Sequence, residues 1–139
     1  MLLKFAGHYS VKLVAQNPTK MFVFGDNLQR IGTGGQAIIR NCPNALGVAT
    51  KYAPSMTLSA FFHDRSLSAH IRLVFRDLLA VEEAAKKSDV VVPVTKDGHI
   101  SLGLGLARLD QTSPTTYKMI CAYLDSLAEN FGGGWSEWS

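Results

Sequence analysis

The sequence lacks the features that identify several large classes of protein. Only two of its 139 residues are cysteines, and the wide separation of Cys42 and Cys121 fits neither a zinc motif nor the disulfide framework of a small secreted domain. No stretch approaches the roughly 20 uninterrupted apolar residues of a membrane span, and the N-terminus lacks the apolar core of a signal peptide. We therefore expect a cytoplasmic protein with free thiols, no bound metal and no membrane partner.

Clustered charge is also missing. Lysine and arginine number 14 against 11 acidic residues, which gives a net charge of +3. The single basic pair, Lys86-Lys87, has acidic neighbours on both sides. A groove for a nucleic acid polymer usually shows concentrated lysine and arginine. We therefore do not expect nucleic acid as a partner, and a small phosphate-bearing ligand is enough to explain the charge balance.

Hydrophobic patterning indicates one α/β domain over residues 1–131. Apolar runs predict strands, helical spacing predicts helices, and the two alternate along the chain. The expected architecture is a three-layer Rossmannoid domain with a mixed, mainly parallel sheet, in which Pro93 should lie at the end of a strand or at an edge. The expected strands are residues 2–9, 11–14, 21–24, 46–49, 59–63 and 90–94, and the expected helices are residues 34–40, 67–87 and 114–131.

Residues 132–139 begin with three glycines, and we expect them to form a flexible tail. The tail contains Trp135 and Trp138. Either these rings dock loosely on the domain, or they pack on a second copy of the chain or cover the ligand. A homo-oligomer therefore stays open as an alternative.

Met21 to Lys51 contains the strongest indication of a binding site. An apolar run ends at Gly25, a polar loop follows, and further glycines lead into a short helix and a second apolar run. In this arrangement backbone N–H groups point at a phosphate. Asp26 and Asn27 can bond ribose hydroxyls or a base, and Arg30 or Arg40 can pair with phosphate. The alternative is a tight turn without a ligand.

Two other places could contribute to the same site. Two apolar runs each end in a Thr-Lys pair, at residues 50–51 and 95–96, and both pairs could face one cleft as phosphate ligands. Otherwise they are solvated lysines at loop starts. The glycines at 103 and 105 could wrap an anion or could serve close packing. The candidate ligand-binding residues are Gly25, Asp26, Asn27, Arg30, Gly32, Gly34, Gly35, Gln36, Thr50, Lys51, Thr95, Lys96, Gly103 and Gly105.

Candidate catalytic residues are few. Asp26 and Asp64 are weak candidates for orienting water. His63 and Asp64 could form an acid–base pair, but adjacent side chains of a strand point to opposite faces, which favours a helix cap for Asp64. Nucleophile-elbow, metal-binding histidine, dinucleotide and P-loop patterns do not occur.

The stretch FVFGDNLQRIGTGGQA, residues 22–37, followed by a Thr-Lys strand end and the SLGLGLARL loop, resembles a family of small uncharacterised bacteriophage proteins. More remotely, the layout resembles macro domains, which bind ADP-ribose. That resemblance implies a macro-like fold with Asp26 and Asn27 near the ribose or adenine. It matches residues 34–36 to the first loop of the ligand site and residues 103–106 to the second.

The resemblance and the glycine loops lead us to expect a protein that binds an ADP-ribose- or NAD-derived or related nucleotide, with no cofactor. It would sequester or sense a nucleotide signal in a phage–host setting, in the host cytoplasm if phage-encoded. One alternative is a hydrolase acting on an ADP-ribosyl or nucleotide phosphate bond. A second is a nucleic-acid-binding protein whose basic stripe forms only on folding. Binding is favoured over turnover because no convincing acid–base set is present.

Overall fold

Five strands and four α-helices make up the fold in the computed structural model, which describes residues 1–138. Three short 3₁₀ turns, Gly35–Ile39, Leu58–Ala60 and Asp64–Ser66, connect them. The strands are β1 (Leu2–Phe5), β2 (Met21–Asn27), β3 (Ala45–Lys51), β4 (Val90–Pro93) and β5 (Ser136–Glu137). The helices are α1 (Val11–Ala15), α2 (Leu67–Ala85), α3 (Leu109–Thr112) and α4 (Pro114–Asn130).

The strands form one sheet in the order β3-β2-β4-β1-β5, and every neighbouring pair is parallel. The predicted three-layer α/β class with a mainly parallel sheet is confirmed, and within the described residues the strands are parallel throughout. Antiparallel contact is limited there to two isolated bridges, Lys51 with Phe61 and Val94 with Ile100. Parallel neighbours follow from the α/β alternation, because each crossover helix returns the chain to the edge where the previous strand began.

Helices cover both faces of the sheet. On one face, buried strand residues such as Val23 and Val92 pack with residues of α2 and α4, among them Leu78 and Leu124. On the other face, Phe22, Phe24 and Val91 pack against α1 and the 3₁₀ turn Gly35–Ile39. All four residues of β4 are buried, and Pro93 ends that strand as predicted. Burial on both faces explains why the strands appear as continuous apolar runs in the sequence.

Two predicted strands are wrong. Residues 11–14 form helix α1, because the side chain of Ser10 accepts a hydrogen bond from the N–H of Leu13 (3.1 Å) and caps a helical turn. Residues 59 and 60 belong to a 3₁₀ turn, residues 61–63 connect it to the next one, and Phe61 makes only a single bridge to β3. Both runs are too short for periodicity to separate a strand from a helical turn.

The C-terminal segment joins the sheet instead of extending from it. Residues of β5 pair in parallel with β1. The ring of Trp138 lies 5.2 Å from that of Phe5 and 5.5 Å from that of Phe22, measured between centroids. The indole N–H of Trp135 donates to Asp125 (2.8 Å). The expected flexible tail is thus replaced by an edge strand held by aromatic packing, and the tryptophans contact their own domain.

Two properties of the chain can be stated directly from the described residues. Cys42 and Cys121 are both free thiols and half-buried, as the sequence predicts. No helix within residues 1–138 has the length and apolar character needed to cross a membrane.

His70 is a fully buried histidine between α2 and α4. Its Nε2 lies 2.7 Å from the hydroxyl of Thr116, and its ring stacks on Phe62 with centroids 4.0 Å apart. Its Nδ1 is buried without a hydrogen-bond partner in the described part of the chain. Burial lowers the pKa of His70 below its ordinary value of 6.5, because a charged imidazolium would lose its hydration there.

We predict that this buried ring makes the protein less stable in mild acid. The unfolded chain takes up a proton at His70 as the pH falls below 6.5, whereas the folded chain does not. The contribution of His70 to stability is therefore complete above that pH and is lost as the pH falls toward the lower folded pKa, by at most about 1.4 kcal/mol per pH unit. Urea unfolding on both sides of that pH measures the slope.

The control is a comparison of His70→Gln with His8→Gln, because His8 is exposed and is not among the groups that shift the pKa of His70. The first variant should lower the free energy of unfolding at neutral pH and flatten the acid slope, while the second should keep the slope of the wild type. Parallel slopes for the wild type and His70→Gln would contradict the prediction.

Candidate functional site

A cavity of about 370 Å³ lies at the carboxyl ends of β2 and β3 and beside the loop that follows β4. In a parallel sheet these ends meet at one edge, which is where ligands bind in open α/β folds. The lining residues are Gly25, Asp26, Asn27, Ile31, Gly32, Gly34, Gly35, Gln36, Ala37, Arg40, Thr50, Lys51, Pro54, Ser101, Gly103, Gly105, Leu106 and Ala107.

Eleven of the fourteen residues predicted from the sequence line this cavity. They come from the first glycine loop, the first Thr-Lys pair and the loop with Gly103 and Gly105. Arg30, Thr95 and Lys96 do not line it. A larger and more open depression of about 510 Å³ lies next to the cavity, with Tyr52, Phe61, His63 and Arg65 among its lining residues. The smaller cavity is the better candidate site because the glycine loops and buried polar side chains converge there.

Gln36 links the two glycine loops across the cavity. Its carbonyl oxygen accepts a hydrogen bond from the N–H of Gly25 (2.8 Å), and its amide nitrogen donates to the hydroxyl of Ser101 (3.0 Å). Gly25 approaches the second loop closely, since a Cβ there would lie 3.5 Å from the backbone nitrogen of Gly103. The two glycine loops therefore form one wall of the cavity, although Gln36 and Ser101 are 65 positions apart in the sequence.

Asp26 is a buried carboxylate held mainly by Arg40. The guanidinium of Arg40 binds both carboxylate oxygens, one of them at 3.0 Å, and also donates to the carbonyls of Ile31 and Gly32. The N–H of Asn27 donates to the same carboxylate (2.8 Å). The N–H donors of Arg40 thus bind the carboxylate of Asp26 and the carbonyls of the first glycine loop. The structure gives Asp26 the role of an anchor for that loop, and its oxygens are not left to orient water.

Arg30 connects the same carboxylate to helix α2. It donates to Asp26 at 3.3 Å and binds both oxygens of Asp77 at 2.7 and 2.8 Å. Asp77 also accepts from the N–H of Ala49 on the outer edge of β3 (2.8 Å). Burial alone would lower the pKa of Arg30, but the hydrogen bonds and charges of Asp77 and Asp26 raise it. The sequence suggested that Arg30 binds phosphate. In the structure it instead connects the first glycine loop to helix α2.

Lys51 is a buried cation without an acidic partner. The residue is 7% exposed, its ammonium donates to the carbonyl of Ser55 (2.9 Å), and it lies 4.6 Å from the ring centroid of Phe61. No carboxylate within residues 1–138 forms an ion pair with it. Burial lowers the pKa of Lys51, and the positive charge of Arg108 lowers it further. The cavity therefore contains an uncompensated positive charge.

The second Thr-Lys pair lies outside the cavity because the chain reverses after β4. The carbonyl of Thr95 accepts from the N–H of Gly98 (2.9 Å), and its hydroxyl accepts from the N–H of His99 (3.2 Å). Lys96 is exposed in this turn. The bridge between Val94 and Ile100 closes a small hairpin. The chain therefore reaches the cavity only with the residues that follow Ile100.

Asp64, the other weak catalytic candidate, caps a helix outside the cavity. It accepts from the hydroxyl of Ser113 (2.9 Å) and from the hydroxyl and N–H of Thr115 (3.0 and 3.2 Å) at the start of α4. Desolvation would raise the pKa of Asp64, but these hydrogen bonds lower it. The expected capping role is correct in kind, although the helix is α4 and not the adjacent α2.

The glycines of the cavity fall into two groups. Gly103 has a φ of +79°, and a Cβ there would lie 2.8 Å from the Cβ of Leu109, so conformation and packing both require glycine. Gly34 has ordinary extended angles, φ −80° and ψ 149°, and no atom within 4 Å of a Cβ. Gly105 is also outside the left-handed region and equally open. At these two positions the missing side chain leaves the cavity wide.

Several residues that shape the site were missed by the sequence analysis. Asp77 and Gly47 carry no local signal, because their roles depend on a carboxylate and a strand that are distant in sequence. Ser101 lies just before the second glycine loop, where a search for polar residues at strand ends would have found it. Of the remaining lining residues, Ile31, Ala37, Pro54 and Ala107 were not predicted. Arg40 was expected to pair with phosphate, and Leu106 lies in the second loop that the resemblance implies.

We predict that Gly47→Ala destabilises the protein through Asp26. A Cβ at this position would lie 2.5 Å from a carboxylate oxygen of Asp26 and 3.0 Å from its Cβ. Two arginines hold that carboxylate in place, so it cannot move without breaking their hydrogen bonds. We expect a loss of about 1–3 kcal/mol in the free energy of unfolding, measured by chemical denaturation.

Gly34→Ala is the matched control, because nothing lies within 4 Å of its Cβ and its backbone suits any residue. We expect it to change stability by less than about 1 kcal/mol, in the stabilising direction. Equal stabilities for Gly47→Ala and the wild type would show that Asp26 is not confined as described.

Comparison with known proteins identifies a family without assigning a function. No curated protein and no solved structure matches the chain. The profile of one protein family, described as a family of unknown function (DUF7831), matches residues 4–123. This match begins within β1, includes β2 to β4 and both glycine loops, and ends within helix α4. The chain therefore belongs to the family of unknown function DUF7831.

Proposed function

We propose that the protein binds an ADP-ribose- or NAD-derived nucleotide in the cavity at the ends of β2 and β3. The observation that carries the proposal is the buried ammonium of Lys51, which lines the cavity and has no acidic partner among residues 1–138. Burying an unpaired cation costs free energy, and a bound anion would remove that cost. The ligand therefore carries negative charge where it meets Lys51.

Backbone donors support a phosphate as the anionic group. Within residues 1–138, the N–H groups of Gly34, Gly35 and Gln36 on the first loop make no hydrogen bond, and neither does that of Gly105 on the second. All four residues line the cavity. Successive free N–H groups next to a cation are the usual surroundings of a protein-bound phosphate.

Other lining groups support a ligand that also has a sugar and a base. The side-chain oxygen of Asn27 is buried without a hydrogen-bond donor among the described residues, and it would accept from a ribose hydroxyl or an amino group. Ile31 and Leu106 line the cavity and are 52% and 74% exposed, so they offer apolar surface to a base. The cation with the free N–H groups would bind the phosphate of a nucleotide, the oxygen of Asn27 its sugar, and the apolar surface its base.

The charges favour binding over turnover. Among residues 1–138, Asp26 is the one carboxylate that lines the cavity, and two arginines and a backbone N–H already bind its oxygens. Hydrolysis would need a base free to activate water. The resemblance to bacteriophage proteins supports a role in which the nucleotide is sequestered or sensed in an infected cell, while macro domains supply the analogy for ADP-ribose.

We predict micromolar binding of ADP-ribose or NAD by the wild-type protein. Isothermal titration calorimetry with ADP-ribose, NAD and cyclic nucleotides measures the affinity, and chromatography of the recovered ligand shows whether it is intact. Intact ligand supports the binding function, and conversion would support the hydrolase instead. No nucleotide binding combined with salt-sensitive binding of DNA or RNA would reject the proposal.

The matching variant is Gly34→Val, which narrows the cavity without straining the backbone. We expect it to weaken nucleotide binding by at least about tenfold, a change of about 1.4 kcal/mol, while the free energy of unfolding stays close to that of the wild type. Lys51→Met should weaken binding similarly because the cation is lost, and Lys96→Met should not, because that lysine lies outside the cavity. Unchanged affinity in Gly34→Val would place the ligand elsewhere.

A further inference from the structure

We propose that Arg108 and Lys51, which both lie against the ring of Phe61, form a two-cation clamp that selects a diphosphate over a single phosphate. The inference rests on the proposed function and adds a specificity-determining residue, Arg108, that does not line the cavity itself. Lys51 alone requires an anionic ligand, whereas Lys51 and Arg108 together favour a ligand with two linked phosphates.

Phe61 brings Arg108 close to Lys51, which lines the cavity. The ammonium of Lys51 lies 4.6 Å from the ring centroid, and the guanidinium carbon of Arg108 lies 6.0 Å from it. Their separation cannot exceed those two distances combined. The charge of Arg108 also depresses the pKa of Lys51, which requires the two groups to interact electrically. Phe61 itself is 5% exposed, so the ring is a firm support for both.

No acid neutralises this pair. Within residues 1–138, Arg108 makes no ion pair and its guanidinium donates no hydrogen bond. Two other arginines near the first glycine loop differ, since Arg40 and Arg30 are both paired with Asp26. Two like charges that share a ring and lack a counter-ion repel each other, and a ligand that supplies one negative charge to each of them relieves the repulsion.

The backbone of Arg108 is held in a conformation that non-glycine residues rarely adopt. Its φ is +50°, in the left-handed region. Its carbonyl accepts from the N–H groups of Gln111 and Thr112 (both 2.9 Å), and its own N–H donates to the carbonyl of Gly105 (3.1 Å). These bonds hold the residue directly after the second glycine loop. Strain of this kind is found where a side chain must be aimed.

A diphosphate fits the clamp better than a monophosphate does. Its two phosphoryl groups each carry negative charge and are joined through one oxygen, so one can meet Lys51 while the other accepts from the planar donors of Arg108. A monophosphate can satisfy only one cation fully. The free N–H groups of Gly105 and the first loop would bind the remaining oxygens.

The test compares inorganic pyrophosphate with inorganic phosphate at equal ionic strength, by calorimetry and by the rise in melting temperature. The wild type should bind pyrophosphate at least about tenfold more tightly than phosphate. Arg108→Met should abolish that preference, and Arg108→Lys should restore part of it because the charge returns without the fork. Arg72→Met removes an exposed arginine of α2 and should keep the full preference.

The outcomes separate this inference from the proposed function. A pyrophosphate preference that depends on Arg108 supports the clamp even if ADP-ribose does not bind, in which case only the nucleotide is wrong. Binding of ADP-ribose without a pyrophosphate preference, or with a preference that survives Arg108→Met, overturns the clamp and leaves the proposed function standing. Absence of binding to either phosphate and to every nucleotide overturns both.

Discussion

The ion network centred on the buried carboxylate of Asp26 determines the shape of the cavity. Asp26 lies near the end of β2, over Gly47 of β3, and binds Arg40 and Arg30. Arg30 extends the network to Asp77 of α2. Strands, helix and loop are thereby connected through charged groups whose centre, Asp26, is buried. Such a network is stable only while all of its members are present, because removing one leaves a buried charge without a partner.

This network also explains why cations near the cavity have different roles. Arg40 and Arg30 lie next to the buried carboxylate of Asp26. Their charges are paired with this carboxylate and hold the first glycine loop in place. Lys51 and Arg108 lie next to the ring of Phe61 and form no ion pair within residues 1–138. The fold thus separates structural cations from cations that remain free to interact. That separation, rather than the total charge of the chain, is the physical basis for expecting an anionic ligand.

The sequence predicts the parts of the site that follow from topology. A glycine loop after β2 and a Thr-Lys end on β3 must lie together once the strands pair in parallel, and residues such as Gly35 and Lys51 do so. Partners that are distant in sequence could not be predicted, which is why Arg30 was assigned to phosphate. Thr95 and Lys96 were expected at the cavity but lie outside it, because the chain reverses over four residues after β4. Such a short turn has no hydrophobic pattern from which it could be predicted. The two-residue strand β5 gives no signal at all, since its pairing is defined only by β1.

The position of β1 has a consequence for how the chain folds. Its neighbours in the sheet are β4 and β5, which follow it by some 88 and 133 residues in the register, while β2 pairs with β3 soon after both are made. During synthesis β1 therefore has no strand to pair with until most of the chain has emerged. Contacts between such distant segments slow folding, because a long loop must close before they form. The half-domain of β2 and β3, which contains the first glycine loop, can assemble early, whereas the second loop reaches it only after β4 has entered the sheet.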